Sequence, residues 1–114
     1  MSGLRNLKEL EQYDQEHFVR KEVSSGAQNR CVLLNLLPGQ EIPTHGHSGN
    51  EVLLLAQKGQ SLLTVDGITQ ILLQPGSVYS AESDSTFHLL NNGTEPCQIL
   101  VILVRLEKIA AGKV

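Results

Sequence analysis

Apolar and polar positions along this chain keep two different periods. Near the start, Leu4, Leu7 and Leu10 recur every third residue, and Asn6 can cap, so a helix of one or two turns is predicted, packed on the outside of the main body. From Phe18 onward the pattern becomes that of strands. Phe18 to Val23 can alternate, Ser24 to Asn29 is a polar stretch containing Gly26, and Arg30 to Leu37 is a β-compatible run ended by Pro38-Gly39. Turn signals then follow about every ten residues. They mark off Glu51 to Lys58, Ser61 to Val65, Ile68 to Leu73, Ser77 to Ala81, Thr86 to Asn91 and Cys97 to Leu106. Asp66-Gly67 is a two-residue hairpin signal, and Pro75-Gly76 closes the strand after it. Eight or nine short strands with almost no helix predict an all-β sandwich or closed barrel. Residues 1–17 form its lead-in and residues 18–114 its single domain.

Composition narrows the picture. At 114 residues the chain can bury about two-thirds of its unfolded surface without a disulfide framework. Cys31 and Cys97 lie in strand-like segments with no Cys-x-x-Cys spacing and read as small buried side chains. Net charge is −3, from 12 Asp and Glu against 9 Lys and Arg, with no basic run of the kind nucleic acid attracts. Arg5, Lys8, Glu9 and Glu11 interrupt any apolar leader, and no apolar run approaches membrane-spanning length, so a cytoplasmic protein with neither membrane nor nucleic-acid partners is expected.

The densest chemistry lies between Pro38 and Gly59. His45 and His47 are two apart, so in an extended segment both imidazoles project to one face. Ser48, Gly49 and Asn50 read as a turn, after which Glu51 can return a carboxylate towards the rings. Imidazole with carboxylate suits a divalent first-row metal. His88 lies in the later run Thr86 to Asn91; His17 falls in a charged segment and reads as solvated.

These residues resemble the cupin superfamily. Its first motif runs glycine, five residues, His-x-His, three or four residues, Glu, six residues, glycine. The chain matches it as Gly39, His45, His47, Glu51 and Gly59, with seven residues in the final gap, the extra one assigned to a hairpin. The second motif is placed at His88 and Asn92, with Ser83 and Ser85 where its proline and second glycine stand. The resemblance implies a double-stranded β-helix with a short N-terminal helix. It also implies one divalent metal (Fe, Mn, Ni, Zn or Cu) on His45, His47, Glu51 and His88, with open positions for water, dioxygen or a chelating substrate.

With Glu51 and His88 pointing inward, the pleat would send Leu53, Leu55 and Leu90 inward too, giving a mostly apolar pocket. Lys58 is the one cation between His45 and Asn92, which disfavours a phosphate ligand, with Arg20, Arg30 and Arg105 as exceptions to watch. Tyr79 is a weak acid or donor candidate, more simply a packed strand aromatic. Two function classes stay open: a metal-dependent oxygenase, isomerase or lyase acting on a small organic molecule, and a non-catalytic binding or sensing module. Val52, Leu54 and Ala56 would then face outward, and with the non-alternating runs Cys31–Leu34 and Ile99–Val104 they predict a homodimer.

Overall fold

The computed structural model describes residues 3–106. They form one 3-10 helix, η1 (Leu7–Leu10), and nine strands: β1 (Val19–Ser25), β2 (Asn29–Leu36), β3 (Glu41–Gly46), β4 (Asn50–Lys58), β5 (Ser61–Val65), β6 (Thr69–Leu73), β7 (Val78–Ala81), β8 (Thr86–Leu90) and β9 (Cys97–Arg105). Two antiparallel sheets, one ordered β1-β2-β9-β4-β7 and the other β3-β8-β5-β6, face each other in a double-stranded β-helix. The strands expected from the turn spacing are all present, and the segment carrying His45 is β3. The predicted domain end, 107–114, lies outside the described residues.

Turn chemistry sets the connections. Asp66 and Gly67 take φ of 54° and 69°, the left-handed pair that a type I′ turn requires, and the Ile68 N–H donates to the Val65 carbonyl at 3.1 Å. Gly59 has φ of 65°, and a Cβ there would run into the Pro96 carbonyl oxygen, so this corner admits only glycine.

The faces of the central strands are the reverse of the expected ones. In β4, Val52, Leu54 and Ala56 are buried, while Leu53 and Leu55 are half-buried and Glu51 is exposed. Their partners on β9 agree: Val52 pairs with Leu103, Leu54 with Val101 and Ala56 with Ile99, all members of the one buried apolar cluster. In β8, Phe87 and Leu89 are in that cluster, so Thr86, His88 and Leu90 face away. Because the side-chain period is two, a one-residue displacement in assigning the face moves every side chain to the other side of the wall. The apolar stripe on the outside of the larger sheet is therefore Leu53, Leu55, Leu100, Ile102 and Val104, and not Val52, Leu54 and Ala56.

The lead-in crosses part of that outer surface. Asn6 caps η1 as expected, its Oδ1 accepting from the Lys8 N–H at 3.0 Å, but Leu4 stands out in solvent. Asn35 Nδ2 donates to the Leu10 carbonyl at 3.2 Å, Gln98 Nε2 donates to Asn35 Oδ1 at 2.8 Å, and Gln40 Nε2 donates to the Asp14 carbonyl at 2.6 Å. Asn35 and Gln98 are buried, and these bonds satisfy polar groups that burial would otherwise leave unpaired. Lys58 Nζ donates to Glu11 Oε2 at 2.6 Å, as does the Tyr13 hydroxyl, tying the lead-in to the end of β4.

Candidate functional site

One end of the barrel opens into a cavity of about 420 Å³. Its wall is made by buried apolar side chains of five strands, among them Val32 and Leu34, Ile42, Val52 and Leu54, Phe87 and Leu89, Val101 and Leu103. The lining residues that are exposed, Arg20, Arg30, Pro43, Thr44 and His45, mark the mouth, and half-buried His47 stands with them. A second, more polar hollow of about 380 Å³ shares Arg30, His47 and Leu103 with the first and adds Gln28, Asn29, Asn50 and Arg105. An apolar body with a few polar groups at one end is the usual make-up of a small-molecule site, and 420 Å³ falls toward the lower part of the ~300–1,000 Å³ range of such sites.

His45 and His47 reach the mouth by a local irregularity. The β3–β8 register shifts between Ile42 and His45, and as a result Ile42, Pro43, Thr44 and His45 all border the cavity instead of alternating. The two rings meet edge to face with centroids 4.9 Å apart. His45 Nδ1 lies 2.8 Å from the Pro43 carbonyl oxygen. Because that oxygen can only accept, the Nδ1–H of His45 is the donor in this contact. Burial, then the neighbouring His45, Arg20 and Arg30, hold the pKa of His47 below the ordinary imidazole value.

Glu51 and His88 are not brought to this mouth. Glu51 is exposed at the start of β4, and neither it nor His88 borders the cavity. His88 Nε2 instead lies 3.0 Å from Glu41 Oε2, a partly exposed pair on the outside of the smaller sheet. Among the described residues, no three His, Cys, Asp or Glu side chains stand where they could share an ion. Of the four ligands that the resemblance implied, the structure thus gathers His45 and His47 at one place and leaves Glu51 and His88 apart from them.

Recounting the motifs against the structure shows why. With four residues after His47 and six before Gly59, both usual spacings, the acidic position of the first motif falls on Val52, which is buried in the cavity wall. With five residues after Gly76, the histidine position of the second motif falls on Phe87 and its asparagine on Asn91. Phe87 also lines the cavity. Asn91, and not Asn92, is buried and fully engaged: its Nδ2 donates to the carbonyls of Leu36 (2.9 Å) and Glu95 (3.0 Å), and its Oδ1 accepts from the Gly93 N–H at 3.0 Å. Strict counting from Gly76 and Gly59 was the available signal. With this placement the first motif has no extra residue.

The remaining candidates settle as packing or surface groups. Tyr79 packs against the apolar cluster away from the cavity. Cys97 is buried, which pushes its thiol up to about 11, and half-buried Cys31 is raised by the same cause. His17 is exposed and its Nδ1 meets the Phe18 carbonyl at 2.9 Å. No helix among the described residues is long and apolar enough to cross a membrane.

Residues 32–103 match the cupin domain. Among solved structures, TT1209 from Thermus thermophilus is 26% identical over 91% of this chain and 98% of its own, with a TM-score of 0.83. An RmlC-like cupin protein from Desulfovibrio desulfuricans is 23% identical over 91% and 97%, with a TM-score of 0.81. A Klebsiella pneumoniae protein described by its double-stranded β-helix domain is 19% identical over 92% and 91%, with a TM-score of 0.85. No curated protein matches the chain.

Proposed function

This chain belongs to the cupin family, and we propose that its barrel is a binding pocket for a small, mainly apolar organic molecule. The observation that carries this reading is the distribution of polarity in the cavity: the wall is aliphatic and aromatic, and the polar side chains gather at the mouth. Between the two classes left open by the sequence, binding is favoured over metal-dependent chemistry because, among the described residues, the cavity side offers two imidazoles and no carboxylate.

A variant that fills the cavity tests the reading. Val101 is 5% exposed and lies in the wall, so Val101→Phe should keep the far-ultraviolet circular dichroism of the native chain yet weaken binding of a probe such as decanol at least tenfold by calorimetry. Native protein that binds no apolar probe, or a folded Val101→Phe variant that binds decanol as well as the native chain, would overturn it.

A further inference from the structure

We infer that the ligand of this pocket carries a single carboxylate, bound at the mouth by Arg20 and Arg30, with its apolar body in the barrel; the inference rests on the binding reading above. The first observation is a charge asymmetry. The chain as a whole is acidic, with 12 Asp and Glu against 9 Lys and Arg, yet among the described residues the cavity lining includes Arg20, Arg30, His45 and His47 and no acidic side chain. A cation-lined mouth over low-dielectric walls attracts an anion and excludes a cation.

The arginines are placed there by strand geometry. On edge strand β1, Arg20 pairs with inward-facing Leu34 and lies two residues from Phe18, which also lines the cavity. On β2, Arg30, Val32 and Leu34 are successive period-two positions, and all three line the cavity. Two guanidinium groups from adjacent strands therefore flank one opening, and planar paired donors suit a carboxylate.

The count of charges selects a monoanion. Arg30 Nη2 lies 3.4 Å from Glu22 Oε2, which offsets much of its charge, whereas Arg20 takes part in none of the ion pairs among the described residues. The mouth thus offers about one uncompensated guanidinium, enough for a carboxylate but poor for a doubly charged phosphate. The volume limits the body to on the order of ten heavy atoms, so the ligand class is a medium-chain or aromatic monocarboxylic acid.

The test compares decanoate, decanol, decylammonium and decyl phosphate on the full chain by calorimetry at pH 7. Decanoate should bind about tenfold tighter than decanol, the size of one charge-assisted hydrogen-bond pair, with decylammonium weakest and decyl phosphate no tighter than decanoate. Arg20→Gln should remove the preference for decanoate over decanol; because Arg20 is exposed, the fold is expected to survive, which circular dichroism verifies. Equal binding of decanol and decanoate by the native chain would sink the carboxylate inference while the apolar pocket stands. Tighter binding of decyl phosphate or decylammonium, or an undiminished preference in Arg20→Gln/Arg30→Gln, would also overturn it. Failure of all four probes to bind would bring down the pocket reading itself.

Discussion

His45 and His47 on one side, Glu51 and His88 on the other, are four residues of similar chemistry that the fold treats in opposite ways. The first pair stands at the cavity mouth; the second stands on the outer surface of the barrel. The difference lies in backbone regularity. β3 loses its register with β8 between Ile42 and His45, and there consecutive residues turn toward the opening. β4 around Glu51 pairs in unbroken register with β9, and β8 around His88 pairs in unbroken register with β5, so strict alternation holds and the side chain next to each buried apolar residue must face out. A residue type near the right place in a motif is not sufficient: a strand paired residue by residue decides the face by parity.

The sharpest way to break this comparison is to move the chemistry by one residue. Val52→Glu/Phe87→His places a carboxylate and an imidazole on the cavity side with His45 and His47. Without metal, the buried unpaired carboxylate should cost about 3–5 kcal/mol, and addition of Ni(II) or Zn(II) should restore much of the loss, since binding to the folded state alone raises stability. Thermal denaturation with and without metal, alongside elemental analysis, reads both effects. A variant whose stability ignores metal would argue that Val52 and Phe87 do not face His45 and His47. The native chain should meanwhile retain divalent metal no better than its Glu51→Ala/His88→Ala variant.

A smaller effect is expected on the outer face. His88→Ala removes only a partly exposed partner of Glu41, so it should change stability by less than about 1 kcal/mol and leave decanoate binding as it was. A loss of binding comparable to that of Arg20→Gln would place His88 in the site.

The smallest effect concerns the lead-in, the part of the chain that covers the barrel from outside. The bonds from Lys58 and Tyr13 hold the Glu11 pKa below the ordinary carboxylate value. Glu11 is ionised more readily in the folded chain, so its contribution is fully present above the unfolded carboxylate pKa, about 4.3, and is lost as pH falls through the lower folded value. Glu11→Gln should therefore lower stability at pH 7 by a few tenths of a kcal/mol, about the low end for partly exposed pairs, and by less at pH 2. Equal destabilisation at both pH values, measured by urea unfolding, would assign the loss to packing instead of charge.

Much of this architecture was legible in the residues themselves. Turn formers at regular intervals, the Asp66-Gly67 hairpin and the β-compatible runs between them led to the strands and to the double-stranded β-helix, because turn dihedrals and side-chain alternation are local properties. That His45 and His47 lie close together on one side was legible as well, though the register shift that carries them to the mouth was not. What the residues left open was the face of β4 and β8. Val52-Leu53-Leu54-Leu55-Ala56 is apolar at every position, so alternation carries no information there, and only the spacing to Gly59 and Gly76 bears on the face.

The chain by itself determined where it turns and which segments extend, since those depend on the dihedral preferences of a few neighbouring residues. Only the tertiary structure decided which side of the wall Glu51, Val52, Phe87 and His88 occupy, and that Arg20 and Arg30, ten residues apart in sequence, share one opening. The first outcome depends on the register of β4 with β9 and of β8 with β5, segments distant in sequence; the second depends on the register of the β1–β2 hairpin and its shift at Glu22/Ser24.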